Sequence, residues 1–324
     1  MAVGIRYAAN NRDLDATLIR AVAFFPFASA YWALMPLLAR TQLHDGADLY
    51  GLLMGLIGLG SIVGSLALEP LKARLGPDGS AALGTLGTIL ALCLFGVARL
   101  PALAMLASLI AGASWIIVMT TMFVSAQVAL PDWVRGRGLA IFLTAYFGAM
   151  TIGSALWGEV ASLKGLPFAL FAAAAGAALG LALTWRQGLE TGAARDLAPS
   201  MHWRAPAFVQ QLEDDQGPIL MVAEYRIDPA DTAEFLALMQ EIGHERMREG
   251  AYAWNVYADP EDPGRFVETA HVHSLLELKY RSARQTKADE LIEAQMDRFL
   301  KEPQKPNYFI ASKRQHHRRR RAQG

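Results

Sequence analysis

The sequence predicts a membrane all-α six-helix bundle followed by a soluble α+β ferredoxin-like domain. Three observations lead there: a step in charge density, six apolar stretches of membrane-spanning length, and a strand–helix–strand–strand–helix–strand pattern after them. Of 324 residues 53% are hydrophobic, and 30 Lys+Arg balance 30 Asp+Glu. Residues 1–200 hold 12 basic and 10 acidic residues, whereas the shorter stretch 201–324 holds 18 and 20. A membrane segment followed by a water-soluble domain is the simplest account of that step. The overall neutrality argues against a nucleic-acid partner. The single cysteine, Cys93, excludes an intramolecular disulfide and a multi-Cys metal site, and no metal or cofactor is expected.

The six expected spans are Thr17–Ala39, Leu49–Leu71, Ser80–Ala98, Ala102–Leu130, Gly138–Leu163 and Leu166–Trp185, so that residues 1–16 precede a membrane domain over 17–185. Met1 to Asp15 is polar and lacks the short apolar core and small-residue cleavage site of a signal peptide. With the N-terminus inside, Arg6, Arg12, Arg20, Lys72, Arg74, Arg135, Arg137 and Arg186 face the cytoplasm, against Arg40, Arg99 and Lys164 outside. That asymmetry, and the even number of spans, place both termini in the cytoplasm of a multi-pass protein of the cell inner membrane.

Small residues permit the close helix approach that lipid does not otherwise drive. Gly51 with Gly55, Gly60 with Gly64, and Gly176 with Gly180 are three such pairs, and alanine and glycine are also simply common in membrane helices. Carboxylates in the apolar zone are few. Glu69 sits beside Pro70 and Lys72 at an interface, while Glu159 in the fifth span is a candidate for proton coupling, since protonation removes its desolvation cost. Tyr31, Trp32, Trp115, Thr120, Thr121 and Gln127 offer aromatic and polar contacts to a substrate path, or serve helix packing. Between spans four and five, Arg135 and Arg137 flank Gly136 near Asp132. They either hold a cytoplasmic gate through exposed charge pairs of about 0–1 kcal/mol each or act only as positive-inside anchors.

After a linker over 186–217, Ile219, Met221, Ala223, Tyr225 and Ile227 alternate with their neighbours at strand period. Pro229 and Asp231 open a helix with apolar positions at Phe235, Leu238, Met239 and Ile242, ended by Gly250. Tyr252–Tyr257 and Arg265–His273 read as two strands joined by a turn, Leu275 to about Lys301 as a second helical region, and Asn307–Ser312 as the last strand. The domain so defined covers 218–313 and its order is the split β-α-β plan. His271 and His273 should share one face of the third strand and could converge on a pocket; a solvent-facing pair is the alternative. A basic tail over 314–324, with Arg318 to Arg321, suits lipid headgroups or plain disorder.

The segment Pro131, Asp132, Trp133, Val134, Arg135, Gly136, Arg137, Gly138, followed by Gly148, Gly153 and the run Ala155 to Gly158, resembles the C-terminal half of major facilitator superfamily exporters of the transmembrane secretion effector type, the broad group of the enterobactin exporter. Gly60, Ser61 and Gly64 through Pro70, Lys72 and Arg74 to Gly76 look like that half's counterpart of the superfamily's first cytoplasmic loop motif, which adds Lys72 and Arg74 to the gating candidates. The resemblance implies half of a major facilitator fold, working in proton-coupled efflux of small organic molecules by alternating access. Superfamily members have two six-span halves, so this unit is expected either to belong to a longer protein or to pair with a second six-span unit or another copy of itself. The tail is similar in plan to antibiotic-biosynthesis monooxygenase domains, which usually dimerise through their sheets. Likeness of plan does not carry activity. The competing expectation is a cytoplasmic ligand-binding or monooxygenase-like domain anchored by membrane helices; the third is a non-transporting half unit.

Overall fold

The computed structural model describes residues 10–189, 200, 215–281, 285–300 and 305–311. The chain divides into two compact units, one over Asn11–Arg195 and one over Asp196–Gly324 together with the first ten residues. Most of the expected linker, the basic tail and residues 1–9 lie outside the described residues.

The first unit is built from five long apolar helices: α1 (Arg12–Leu37), α2 (Ala47–Val97), α3 (Pro101–Val128), α4 (Asp132–Lys164) and α5 (Leu166–Thr184). Asn11 caps α1, its side chain accepting the Asp13 and Leu14 N–H groups while its Nδ2 donates to the Ala129 carbonyl at 2.8 Å. A five-residue π-helical turn, Leu38–Gln42, extends α1, and Gln42 Nε2 reaches the Phe95 and Ala98 carbonyls at the far end of α2. At 51 residues α2 would be about 77 Å long if straight, over twice the hydrocarbon thickness. It is not straight: Gly76, at φ 68° and ψ −176°, breaks the helical path just before Pro77. A side chain at that φ would be strained, so glycine is what permits the reversal.

The helices meet backbone to backbone where glycine removes the side chain. A methyl group added at Gly60 would strike the Leu109 carbonyl of α3, and one at Gly112 would strike the Ile57 carbonyl of α2. Gly64 continues that seam against Ala113, and Gly180 of α5 meets the Ala23 carbonyl of α1. Gly153 of α4 lies on Pro26, whose carbonyl also accepts the Trp157 indole N–H at 2.7 Å. Gly51, Gly55 and Gly58, in contrast, face open space.

The second unit folds as β1 (Ile219–Arg226), α6 (Thr232–Glu249), β2 (Ala251–Ala258), β3 (Arg265–Val272), α7 (Leu275–Lys279), α8 (Lys287–Met296) and β4 (Asn307–Ile310). The four strands form one antiparallel sheet in the order β2-β3-β1-β4, the split β-α-β arrangement. Phe235, Met239 and Ile242 of α6 pack on Ala223, Tyr225 and Phe266, with Met296 and Phe299 closing the core. Among the described residues the second helical region is interrupted between α7 and α8, against the single run expected from Leu275 to about Lys301. Ser274 caps α7, and Thr286 with Asp289 forms a reciprocal capping box that starts α8 afresh.

Candidate functional site

In the first unit, aromatic side chains from three helices converge. Tyr31 and Trp32 of α1 lie 6.4 Å and 5.4 Å from Trp115 of α3 by ring centroid, and Phe25 stands edge-on to both Trp115 and Tyr146 of α4. The wall runs from buried Tyr31 outward to Phe147, which is 60% exposed. Within it the Tyr31 hydroxyl and the Trp32 indole N–H are buried against each other, short of good hydrogen-bond geometry. Polar atoms so weakly satisfied on an aromatic surface can orient a ligand that brings a better acceptor or donor. Three of the expected path residues, Tyr31, Trp32 and Trp115, therefore come together. Thr120 and Gln127, five and twelve positions farther along α3, lie about 7 Å and 18 Å down its axis from Trp115.

Asp132 and Arg135 form an exposed (i, i+3) ion pair at 2.7 Å, and Arg135 also reaches the Leu130 carbonyl at 3.4 Å. Lys72, Arg74 and Arg137 make no ion pair with a described residue. Glu159 is exposed near the end of α4, away from the aromatic wall. A different pair ties the helix ends. Arg20, with 6% of its side chain exposed, binds Asp78 at 2.9 Å and reaches the Trp185 carbonyl at 3.5 Å, and Asp78 also accepts the Leu189 N–H at 3.0 Å. This contact joins α1, the stretch just after Gly76 and the exit of α5. Sequence reasoning counted Arg20 only as a topogenic charge. Its position eight residues inside α1 was the signal that it needed a partner.

The second unit holds a cavity of about 450 Å³ between the sheet and α8, with Met221, Tyr225, Ile242, Met296 and Leu300 among its apolar walls. Two guanidinium groups, Arg246 and Arg281, and four carboxyl groups, Glu268, Glu290, Glu293 and Asp297, also line it. Glu268 is fully buried and saturated: Tyr225 Oη donates to it at 2.6 Å, Trp254 Nε1 at 2.9 Å and Arg246 Nε at 3.2 Å. Arg246 pairs in addition with Glu293, and Arg281 with Glu249 at 2.7 Å and Glu293 at 3.1 Å. Burial alone would lower the Arg246 pKa; Glu268, Glu293, Glu245 and Glu249 more than reverse it, holding the group charged. Burial, reinforced by Glu249, pushes the Glu245 carboxyl well above the usual range, and burial also raises Glu249. Burial beside Glu268 raises the Tyr225 phenol too.

His271 and His273 do not line this cavity. The inward positions of β3 are Phe266, Glu268, Ala270 and Val272, which leaves His271 on the other face, and His273 lies past the strand end. There Tyr252 stacks on His273 at 4.3 Å and lies 5.7 Å from His271. The network of α6 and β3 glutamates with Arg246 and Arg281 was missed from sequence. Glu245 and Glu249, four apart on α6 with Arg246 between them, read as an ordinary charged helix surface until the sheet covers it.

The curated transporter YhhS of Escherichia coli K12, uncharacterised and of the major facilitator type, is 36% identical over 98 residues, 30% of this chain and 24% of that protein. The chain thus matches about a quarter of that relative's length, and a Shigella flexneri counterpart matches to the same extent. Among solved structures, a Caulobacter crescentus CB15 protein described as a candidate antibiotic biosynthesis monooxygenase is 20% identical, covering 31% of this chain and 93% of its own, with TM-score 0.28. A conserved Methanosarcina mazei Go1 protein is 19% identical over 29% of this chain and 92% of its own, with TM-score 0.27. The family model for transmembrane secretion effectors matches residues 1–316, five long apolar helices and the α+β unit included, and the chain belongs to that family of major facilitator transporters.

Proposed function

We propose that the chain is one six-span half of a proton-coupled exporter of small organic molecules. The two legs of α2 either side of Gly76, residues 47–75 and 77–97, are about 43 Å and 31 Å long, so each suffices for a crossing and the five helices make six spans. With the N-terminus in the cytoplasm, the even count and the basic residues at Lys72, Arg74, Arg135 and Arg137 put the C-terminal domain there too. The aromatic wall at Tyr31, Trp32 and Trp115 is the observation that carries the reading. It forms one side of a path whose other side comes from a second six-span unit, which docks on the open faces of α2 and α4.

The Arg20–Asp78–Trp185 contact closes the cytoplasmic ends of the half, and the Asp132–Arg135 pair adds a weaker exposed tie. Opening to the cytoplasm breaks them. Glu159 is the proton-coupling candidate in α4 and acts at the lipid or partner-facing surface. Proteoliposomes with an imposed pH gradient and an entrapped fluorescent amphiphile test the scheme. Flux should follow the gradient, fall on Trp115→Ala, and vanish when chains are diluted to one per vesicle. Undiminished flux at that dilution overturns the paired-half reading.

A further inference from the structure

We propose that the cavity of the second unit binds an amphipathic organic cation, its apolar body against Met221, Tyr225 and Met296 and its positive group at Glu290 and Asp297. Nothing in this depends on the transport reading. The volume of about 450 Å³ lies within the ~300–1,000 Å³ that accommodates drug-sized ligands. Two methionines give an adaptable, polarisable wall that suits a flat ring system.

Charge decides the class. Among the described residues, four carboxyl groups against two guanidinium groups leave the lining acidic. Both arginines are already matched, Arg281 by Glu249 and Glu293, Arg246 by those two and by Glu268 and Glu245. An anionic ligand would therefore meet compensated arginines and surplus carboxylates. Glu290 of α8 and Asp297 just past its end are exposed at the cavity, where a cation keeps part of its hydration while gaining their attraction. Arg246 Nη2 carries no hydrogen bond to a described residue, so the deep end offers one donor to an ether or carbonyl oxygen. A metal ion does not fit: among the described residues no three His, Cys, Asp or Glu side chains are grouped to hold one.

The probe is berberine, a planar quaternary cation with ether oxygens, titrated against the full chain in nanodiscs by fluorescence and equilibrium dialysis. Ala294→Trp, which fills the cavity from α8, should weaken binding at least about tenfold. Glu290→Lys with Asp297→Lys, both at exposed positions, should weaken it about tenfold at low salt and less at high salt. The anionic dye anilinonaphthalene sulfonate should gain from the double lysine variant. Should Ala294→Trp lose its unfolding transition, the double lysine variant decides, since it leaves the packed core untouched. Berberine affinity unchanged in the folded variants, absence of saturable berberine binding, or stronger wild-type binding of the sulfonate at this cavity would each overturn the proposal.

Discussion

Replacing Asp78 by alanine should loosen the helix ends far more than replacing Arg20, and the structure fixes the order. Arg20 has 6% of its side chain exposed and Asp78 has 51%. Removing the partner of a buried charge costs about 3–5 kcal/mol, because the survivor stays desolvated. Asp78 stands half in water, so water can enter beside Arg20 when it is gone, which lowers the cost to about 1–3 kcal/mol. Each 1.4 kcal/mol is about a factor of ten, so the opening equilibrium around Gly76 and Trp185 should shift about 5- to 150-fold. In Arg20→Ala the orphan is Asp78, which rehydrates and still accepts the Leu189 N–H; only the net worth of a part-exposed pair, about 0–1 kcal/mol, is lost. Hydrogen exchange by mass spectrometry on the chain in nanodiscs reads this directly from amides of residues 78–85 and 181–187. Asp78→Asn, which retains an acceptor, should fall between the two. Equal acceleration in both alanine variants, or more in Arg20→Ala, would refute the reasoning.

Gly112→Ala puts a methyl group on the Ile57 carbonyl and should lower the melting temperature of the membrane unit by several degrees, whereas Gly55→Leu, which meets open space, should leave melting unchanged and lower self-association or pairing in crosslinking. Glu268→Leu strands the Tyr225, Trp254 and Arg246 donors together and should cost about 3–5 kcal/mol, seen as a lower urea midpoint in the transition reported by Trp254, with Glu268→Gln milder. Glu245 has its folded pKa raised, chiefly by burial and then by Glu249, so the folded form holds the proton more tightly. That contribution is intact below the ordinary Glu value of about 4.3 and is lost as pH rises towards the folded pKa. Glu245→Gln should therefore gain melting temperature over wild type increasingly from pH 4 to 8. A gap that stays constant or closes with rising pH would contradict it.

The apolar helices and the strand order were legible because each follows from a repeat in one dimension: apolar length for the helices, period two for β1 and β3; of the six helices expected, the structure has five, the second and third expected spans falling on α2. Gly76 and Pro77 were visible too, as the boundary between the second and third expected spans, and the glycine's φ of 68° gives the reason. Of the three close-approach pairs the spacing offers, Gly60 with Gly64 and Gly176 with Gly180 meet neighbours while Gly51 with Gly55 is open, because a spacing of four marks one face of a helix without saying what lies opposite. Contacts that depend on distant segments escaped: Arg20 meets Asp78 across 58 positions, and the cavity joins β1, α6, β3 and α8. No local pattern encodes such pairings, although a buried-face arginine in α1 announces that one must exist. The histidines show the same limit, since periodicity placed His271 on a face of β3 but not which face the helices would cover.

The open glycines bear on the proposed pairing of the first unit. At Gly51, Gly55 and Gly58 of α2 and at Gly148 and Gly158 of α4, an added methyl group would find nothing within 4 Å, while Gly60, Gly64, Gly112, Gly153 and Gly180 are each filled by a neighbouring backbone. In a helix interior glycine costs about 0.5–1 kcal/mol relative to alanine, and the second set recovers that cost through close contact. The first set recovers nothing within this unit. Lipid chains pack as well against alanine, so they give no return either. A second helical unit approaching α2 and α4 would supply the missing contact, and its removal should leave these two helices with the largest lipid-accessible small-residue surface of the five. Site-directed spin labels at Gly55 and Gly148 should then report high oxygen accessibility in the lone unit and lose it on pairing; labels at Gly60 and Gly112 serve only to mark disrupted packing.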